Sequence, residues 1–227
     1  MDFLDNIIRY DISHLPFIIL SLLICFTIHE FAHAYTAYKF GDDTAYQLGR
    51  VTLNPLAHLD FLGFILILIA GFGWAKPVPV RASKFKKPRQ MSILVSLAGP
   101  VSNLLLGFMA IVIYAVLIIM GVVVDNDLRI GSAITIFFSY LIGFNFLLLV
   151  FNLIPLPPLD GYRIVSELLP LKLRFKLMQN EHWGAIIFLI LVFIPFLRQY
   201  TIDPVLKLGQ IIQLELMQFV FLMFNIN

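Results

Sequence analysis

Residues 15–38, LPFIILSLLICFTIHEFAHAYTAY, form an apolar run interrupted only by His29, Glu30 and His33. Spanning a bilayer as a helix takes about 20 such residues, so the run reads as a membrane helix with three ionisable side chains inside it. A charge near the centre of a spanning helix costs roughly 2.5 kcal/mol or more. Groups kept there at that cost serve a function or pair with one another. Their order is H-E-x-x-H. At i and i+4 the two imidazoles share one helix face, close enough to bind one metal ion, with the carboxylate beside them. Neutral imidazole is a good zinc ligand, and a glutamate next to the ion suits the acceptance of a proton from water. On a soluble helix the motif is usually a solvated face. Inside a membrane the competing reading is a structural polar cluster.

The composition supports the membrane setting. The 227 residues are 60% hydrophobic and 13% charged, with 22 Phe, and the mean hydropathy is +0.91. A soluble domain carries about 25% charged residues, and so little polar surface cannot cover a water-soluble globule of this size. Disorder, fibrous repeats and an ordinary cytosolic enzyme are excluded. A net charge of +2 gives no sign of nucleic-acid binding. The single cysteine, Cys25, excludes an internal disulfide and a cysteine-based zinc site. Asp2, Asp5, Arg9 and Asp11 leave no basic n-region of a signal peptide.

Two more runs are long enough to span, Met91 to Val124 and Gly131 to Pro155, with Asp125 between them. Gly184 to Leu197 is shorter. Pro204 to Phe224 carries a polar stripe at 207, 210, 213–215 and 218, so it either spans or lies in the interface plane. Phe61 to Phe72 is only about a dozen residues, a length typical of re-entrant or interfacial segments. Lys76-Pro77-Val78-Pro79-Val80 follows it, and its alternating prolines demand extended backbone. No internal repeat is visible.

A zinc site needs a third protein ligand. His14, His58 and His182 sit at edges of apolar runs, where interfacial histidines are common, and Asp42, Asp43 and Asp60 suit solvated loop carboxylates. Asp160 differs. It ends the run Asn152-Leu-Ile-Pro-Leu-Pro-Pro-Leu-Asp160-Gly161, where three prolines unwind the chain and Gly161 allows a tight turn. Broken backbone at membrane depth is tolerated where it lines a cavity.

His29-Glu30-Phe31-Ala32-His33 together with the N-x-x-P-x-x-P-x-D-G run from Asn152 to Gly161 resembles the site-2 protease family of intramembrane zinc metalloproteases. Ala98-Gly99-Pro100-Val101-Ser102-Asn103 is similar to the family's A-G-P-x-x-N. Gly73 to Val80 looks like its compact bacterial branch, which lacks PDZ and CBS domains. Phe61 stands where that branch has proline, and Tyr162 where it has a small residue. The resemblance covers about residues 20–165. It implies that His29, His33 and Asp160 bind one zinc ion per chain, that Glu30 is the catalytic base, and that Asn152 helps hold the substrate or its oxyanion. Asn145, on the same helix face as Asn152, is a weaker candidate. It and Asn103 read first as interhelical hydrogen-bonding residues.

The expected fold is an all-α polytopic membrane protein: a three-helix catalytic core, a re-entrant or extended loop segment, and additional C-terminal membrane helices. Residues 1–227 would form one domain, with the core at about 15–165 and the C-terminal helices at about 184–224. For His29, His33 and Asp160 to share an ion, the first and third long helices must run parallel. Lys76, Arg81, Lys84, Lys86, Lys87 and Arg89, with Arg163, Lys172, Arg174 and Lys176, then mark that end as cytoplasmic. Phe61 to Phe72 would dip in and return, the N-terminus would lie outside, and residue 45 would be cytoplasmic. The implied activity is hydrolysis of peptide bonds in or near transmembrane segments of membrane-protein substrates, in a bacterial plasma membrane. The rival readings are a catalytically silent metal-binding scaffold and a transporter, though transporters tend to show paired repeats.

Overall fold

The apolar run that carries His29 forms α1 (Leu15–Lys39). It ends where Gly41 takes φ +100°. The Gly41 N–H donates to the Tyr38 carbonyl and the Asp42 N–H to that of Ala37, both at 3.0 Å, satisfying carbonyls that a helix end leaves open. A computed structural model describes residues 12–70, 73–123 and 129–226. The N-terminal charges at Asp2, Asp5, Arg9 and Asp11, the Gly71-Phe72 end of the short apolar run, and Asp125 lie outside the described residues.

Two short turns, α2 (Thr44–Gln47) and α3 (Pro55–His58), lead to α4 (Phe61–Ala70). The Asp60 carboxylate accepts the Gly63 N–H at 2.9 Å and caps α4. The chain then doubles back. A Cβ on Gly73 would lie 1.9 Å from the Gly63 carbonyl oxygen, and one on Gly63 would lie 2.2 Å from the Trp74 oxygen, so two glycines are needed for the strands of backbone to touch. The Lys76 N–H reaches the His58 carbonyl at 2.9 Å. Helix α4 and the extended 73–80 strap therefore leave from and return to the same end of the molecule, the re-entrant course that the length of 61–72 implies.

The next helix, α5 (Pro88–Ile119), starts a turn before the apolar run because Pro88 suits a first helical position. It stops at Gly121, φ +75°. α6 (Arg129–Asn152) completes the core. Ser21 reaches the Phe137 carbonyl and Cys25 that of Leu141, so α1 and α6 run parallel. α5 runs against both, meeting α1 at His33–Val95 and His29–Asn103. The three helices close over Cys25, Ala110, Ile111, Ala115, Ile142 and Phe146. Gly107 lies within van der Waals reach of Phe146 and Asn145, the close approach small residues give membrane helices.

After α6, turns over 153–159 lead into α7 (Asp160–Leu168), α8 (Leu171–Gln179), α9 (Glu181–Phe193) and α10 (Pro195–Met223). Arg89 donates to the Glu167 and Leu169 carbonyls, pinning α7 to the start of α5. α9 is too short to cross a bilayer alone. α10 passes through Pro204, where the sequence suggests a start, because Pro195 takes the first-turn position and Ile202 is buried against Ile154, Leu159 and Phe188. Gly209 then packs on Phe146 and Val150. Among the described residues four helices are long and apolar enough to cross a membrane, and there is no strand. The chain is an all-α polytopic membrane protein.

Candidate active site

Pro155, Pro157 and Pro158 end α6, and Gly161 lets the chain fold back on itself: a Cβ there would lie 2.2 Å from the Leu153 carbonyl oxygen. This return places Asp160 opposite α1. His29 Nε2 and His33 Nε2 are 3.0 Å apart, and each lies 3.2 Å from Asp160 Oδ2.

Both rings are held from behind. His29 Nδ1 lies 2.6 Å from Asn103 Oδ1 and His33 Nδ1 lies 2.7 Å from the Val95 carbonyl. The Asn103 amide is oriented by its own Nδ2, which donates to Asn145 Oδ1 at 2.9 Å. Since the partners facing Nδ1 are acceptors, each Nδ1 carries its ring's proton and each Nε2 presents a lone pair. With both Nδ1 atoms protonated, two Nε2 lone pairs and an Asp160 carboxylate oxygen face one another. They need a cation. Two imidazole nitrogens and a carboxylate oxygen are a zinc donor set, and ligands at about 2.0–2.1 Å from an ion lie at about these separations from one another. The residues fit zinc.

Gly99 completes the arrangement. A Cβ on it would lie 2.3 Å from His33 Nε2 and 2.6 Å from His29 Cε1, so only glycine lets α5 press against both rings. Glu30 is buried beside them, and its Oε2 accepts the Val78 N–H at 3.2 Å. Asn152 stands in the wall of the same cavity, but its Nδ2 donates to the Leu148 carbonyl at 3.0 Å, back along its own helix. The cavity is about 520 Å³. His29, Glu30, His33 and Asp160 line it, together with strap residues such as Pro77 and Val78 and apolar residues such as Phe144 and Leu147.

Among the described residues, His29, His33 and Asp160 are the group placed to hold a metal. The other candidates lie elsewhere. His14 meets the Tyr140 hydroxyl at 3.1 Å, His58 is buried with Nε2 on the Thr52 carbonyl at 2.8 Å, and His182 lies by Trp183. Asp42 is fully buried and ties the turn after α1 to Arg81 and Thr44, Asp43 pairs with Lys84, and Asp60 caps α4.

Arg50 belongs to no motif, and sequence reasoning passes over it. It is 5% exposed. Its Nη1 and Nη2 donate to the Pro77 and Lys76 carbonyls at 3.2 and 2.6 Å, on the strap that also gives Glu30 its hydrogen bond. Burial pushes the guanidinium below its ordinary pKa, and the Glu30 charge opposes that shift.

A convergent His, His, Asp set beside a buried glutamate, within a bundle of membrane-length helices, defines a membrane-embedded metallohydrolase. Comparison with known sequences makes the assignment specific: residues 17–124 and 118–195 match Peptidase family M50, and the chain belongs to that family. It is 47% identical over 96% of its length to 98% of a Bacillus subtilis protein provisionally named zinc metalloprotease YwhC. It is 33% identical over 83% of its length to 71% of a Mycolicibacterium smegmatis protein provisionally named zinc metalloprotease Rip2. The Rip2 protein of Mycobacterium tuberculosis strain H37Rv, named in the same way, is 30% identical over 79% of this chain and 68% of its own. No solved structure matches. The protein is a multi-pass zinc metalloprotease.

Proposed function

We propose that this protein is a site-2-type intramembrane protease that hydrolyses peptide bonds in or near transmembrane segments of membrane-protein substrates. Residues 1–227 act as one integral-membrane domain, with the catalytic core at about 15–165 and the C-terminal helices at about 184–224. The carrying observation is the convergence of three lone-pair donors at 3.0–3.2 Å beside a buried carboxylate. His29, His33 and Asp160 hold the zinc. When bound there, zinc supplies Lewis-acid polarisation of a carbonyl and acidifies water towards a pKa of about 7. Glu30 takes the proton from the attacking water and returns it to the leaving amine. Its Oε2 is engaged by the Val78 N–H, which leaves its other oxygen for that transfer. Asn152, in the cavity wall, helps hold the substrate carbonyl.

A helical substrate must unwind before its carbonyls can be reached. The strap at 73–80 is extended and lines the cavity, so its backbone suits strand addition to the opened segment. The site faces the cytoplasmic side of a bacterial plasma membrane. Supporting this, the end of the bundle that carries the site also carries the basic residues from Lys76 to Arg89 and from Arg163 to Lys176.

Detergent-purified wild-type protein is expected to hold about one zinc per chain, and His33→Ala and Asp160→Ala variants of comparable folding to hold none. Glu30→Gln should keep the metal yet leave a membrane-spanning reporter uncut in proteoliposomes. A wild type that stays empty when zinc is supplied, or turnover that survives in Glu30→Gln, would sink the reading.

A further inference from the structure

We infer that Arg50 is a positioning residue for hydrolysis, clamping the Lys76–Val78 backbone so that its one inward N–H fixes Glu30. This rests on the role proposed above for Glu30. The geometry is a relay across three segments. Arg50, in the loop after α2, donates to the carbonyls of Lys76 and Pro77 at 2.6 and 3.2 Å. The peptide whose Pro77 carbonyl Arg50 holds gives its own Val78 N–H to Glu30 Oε2 at 3.2 Å. Pro77 and Pro79 offer no N–H, so Val78 is the only residue from 77 to 79 able to make that bond. The strap is also held by Lys76 N–H on the His58 carbonyl, by Val78 buried against Ala34 and Ala45, and beyond its end by Arg81 N–H on Asp42. Of these contacts, Arg50 and Glu30 are the two that hold the polar groups of the 77–78 peptide, one at its carbonyl and the other at its N–H.

The clamp is a poor device for stability. Arg50 is buried, and its Nε finds no partner. A buried donor without an acceptor is costly, and a buried charge is often replaced by an apolar side chain of similar volume at no loss of stability. Lysine cannot substitute either, since one ammonium lacks the planar fork that spans two successive carbonyls. A guanidinium retained here acts on the position of what it holds.

The test compares wild type with Arg50→Met, which keeps much of the volume, and Arg50→Lys, which keeps the charge and reaches one carbonyl. The probes are zinc content, hydrogen exchange of the peptides covering 74–80, and cleavage of a labelled membrane-spanning reporter in proteoliposomes. Arg50→Met is expected to keep its zinc and the exchange protection of α1 and α5, while the 74–80 amides exchange about tenfold faster. Its kcat should fall by about a hundredfold with little change in KM, the scale set by small misplacement of a catalytic group. Arg50→Lys should recover part of both. Unchanged strap protection in Arg50→Met, or a turnover loss that follows zinc loss, would overturn the proposal. Exchange needs no turnover, so a failure to cut any reporter would count against the protease reading while the clamp is still judged.

Discussion

Asn103 shows how one side chain can decide the chemistry of another. Its Oδ1 faces His29 Nδ1 at 2.6 Å and its Nδ2 donates to Asn145 Oδ1, and since Asn145 Nδ2 is spent on the Leu141 carbonyl a flipped Asn103 amide would set two oxygens against each other. This fixes the His29 tautomer and aims Nε2 at Asp160. Partners of this kind typically account for 10–100-fold in metal affinity, and Asn103→Ala is expected to weaken zinc binding by about that factor, read by competition against a chelator. Zinc affinity equal to wild type would show that the α1 backbone alone orients the ring. The ligand-type residues were legible in sequence because H-E-x-x-H and the proline-rich run before Asp160 each carry a local spacing. Arg50 was not, because its partners are backbone carbonyls 26 and 27 positions away and any residue type can supply a carbonyl. Gly99 was visible as part of a motif, but its reason, a 2.3 Å approach to His33, exists only once α1 and α5 are packed.

At the scale of elements, the turn that leaves α1 is organised by a buried carboxylate. Asp42 accepts from Arg81 N–H at 2.6 Å and from Thr44 N–H at 3.0 Å, with Lys84 at 3.8 Å. Burial pushes its pKa up, but the hydrogen bonds from Arg81 and Thr44 and the Lys84 charge outweigh that and hold it below the ordinary value. A carboxyl whose folded pKa is depressed contributes stability above its unfolded pKa of about 3.9. That contribution is lost as pH falls through the lower folded value. Asp42→Asn should therefore cost about 1.5–3 kcal/mol at neutral pH, and the gap to wild type in thermal melts should narrow well below pH 4. A gap that is constant with pH would mean that the charge does not matter. Sequence spacing read Asp42 as a solvated loop residue, because nothing in Gly41-Asp42-Asp43 announces that the strap and the Arg81 loop fold over it. The long helices were easier: length and hydropathy place α1, α5 and α6 nearly to their ends, whereas α10 runs through Pro204, since Pro195 could start the same helix and burial of Ile202 rewards the earlier start.

For the whole molecule the parallel course of α1 and α6 fixes which ends share a side. The α1–α2 turn, the start of α5, the Asp160 turn and α7 lie together at the end that holds the zinc-type site, and the C-terminal end of α10 lies at the other, because α10 leaves Ile202 beside Ile154 and reaches Val220 among residues of the far half of the core. Basic residues gather at the first end, so by the positive-inside rule that end is expected to face the cytoplasm. The prediction is tested by single cysteines in a Cys25→Ala background, labelled in intact cells with a membrane-impermeant maleimide. Ala45 is fully buried and is a poor reporter, but Leu48, in the same turn, is 64% exposed, and Leu222, near the end of α10, is 76% exposed. Leu222→Cys is expected to react from outside, and Leu48→Cys only after the membrane is opened. The reverse pattern would invert the protein and place its site outside. Labelling of both from outside would put the end of α10 on the same side as the site, and would break the crossing from Ile202 at the site end to Val220 at the far end.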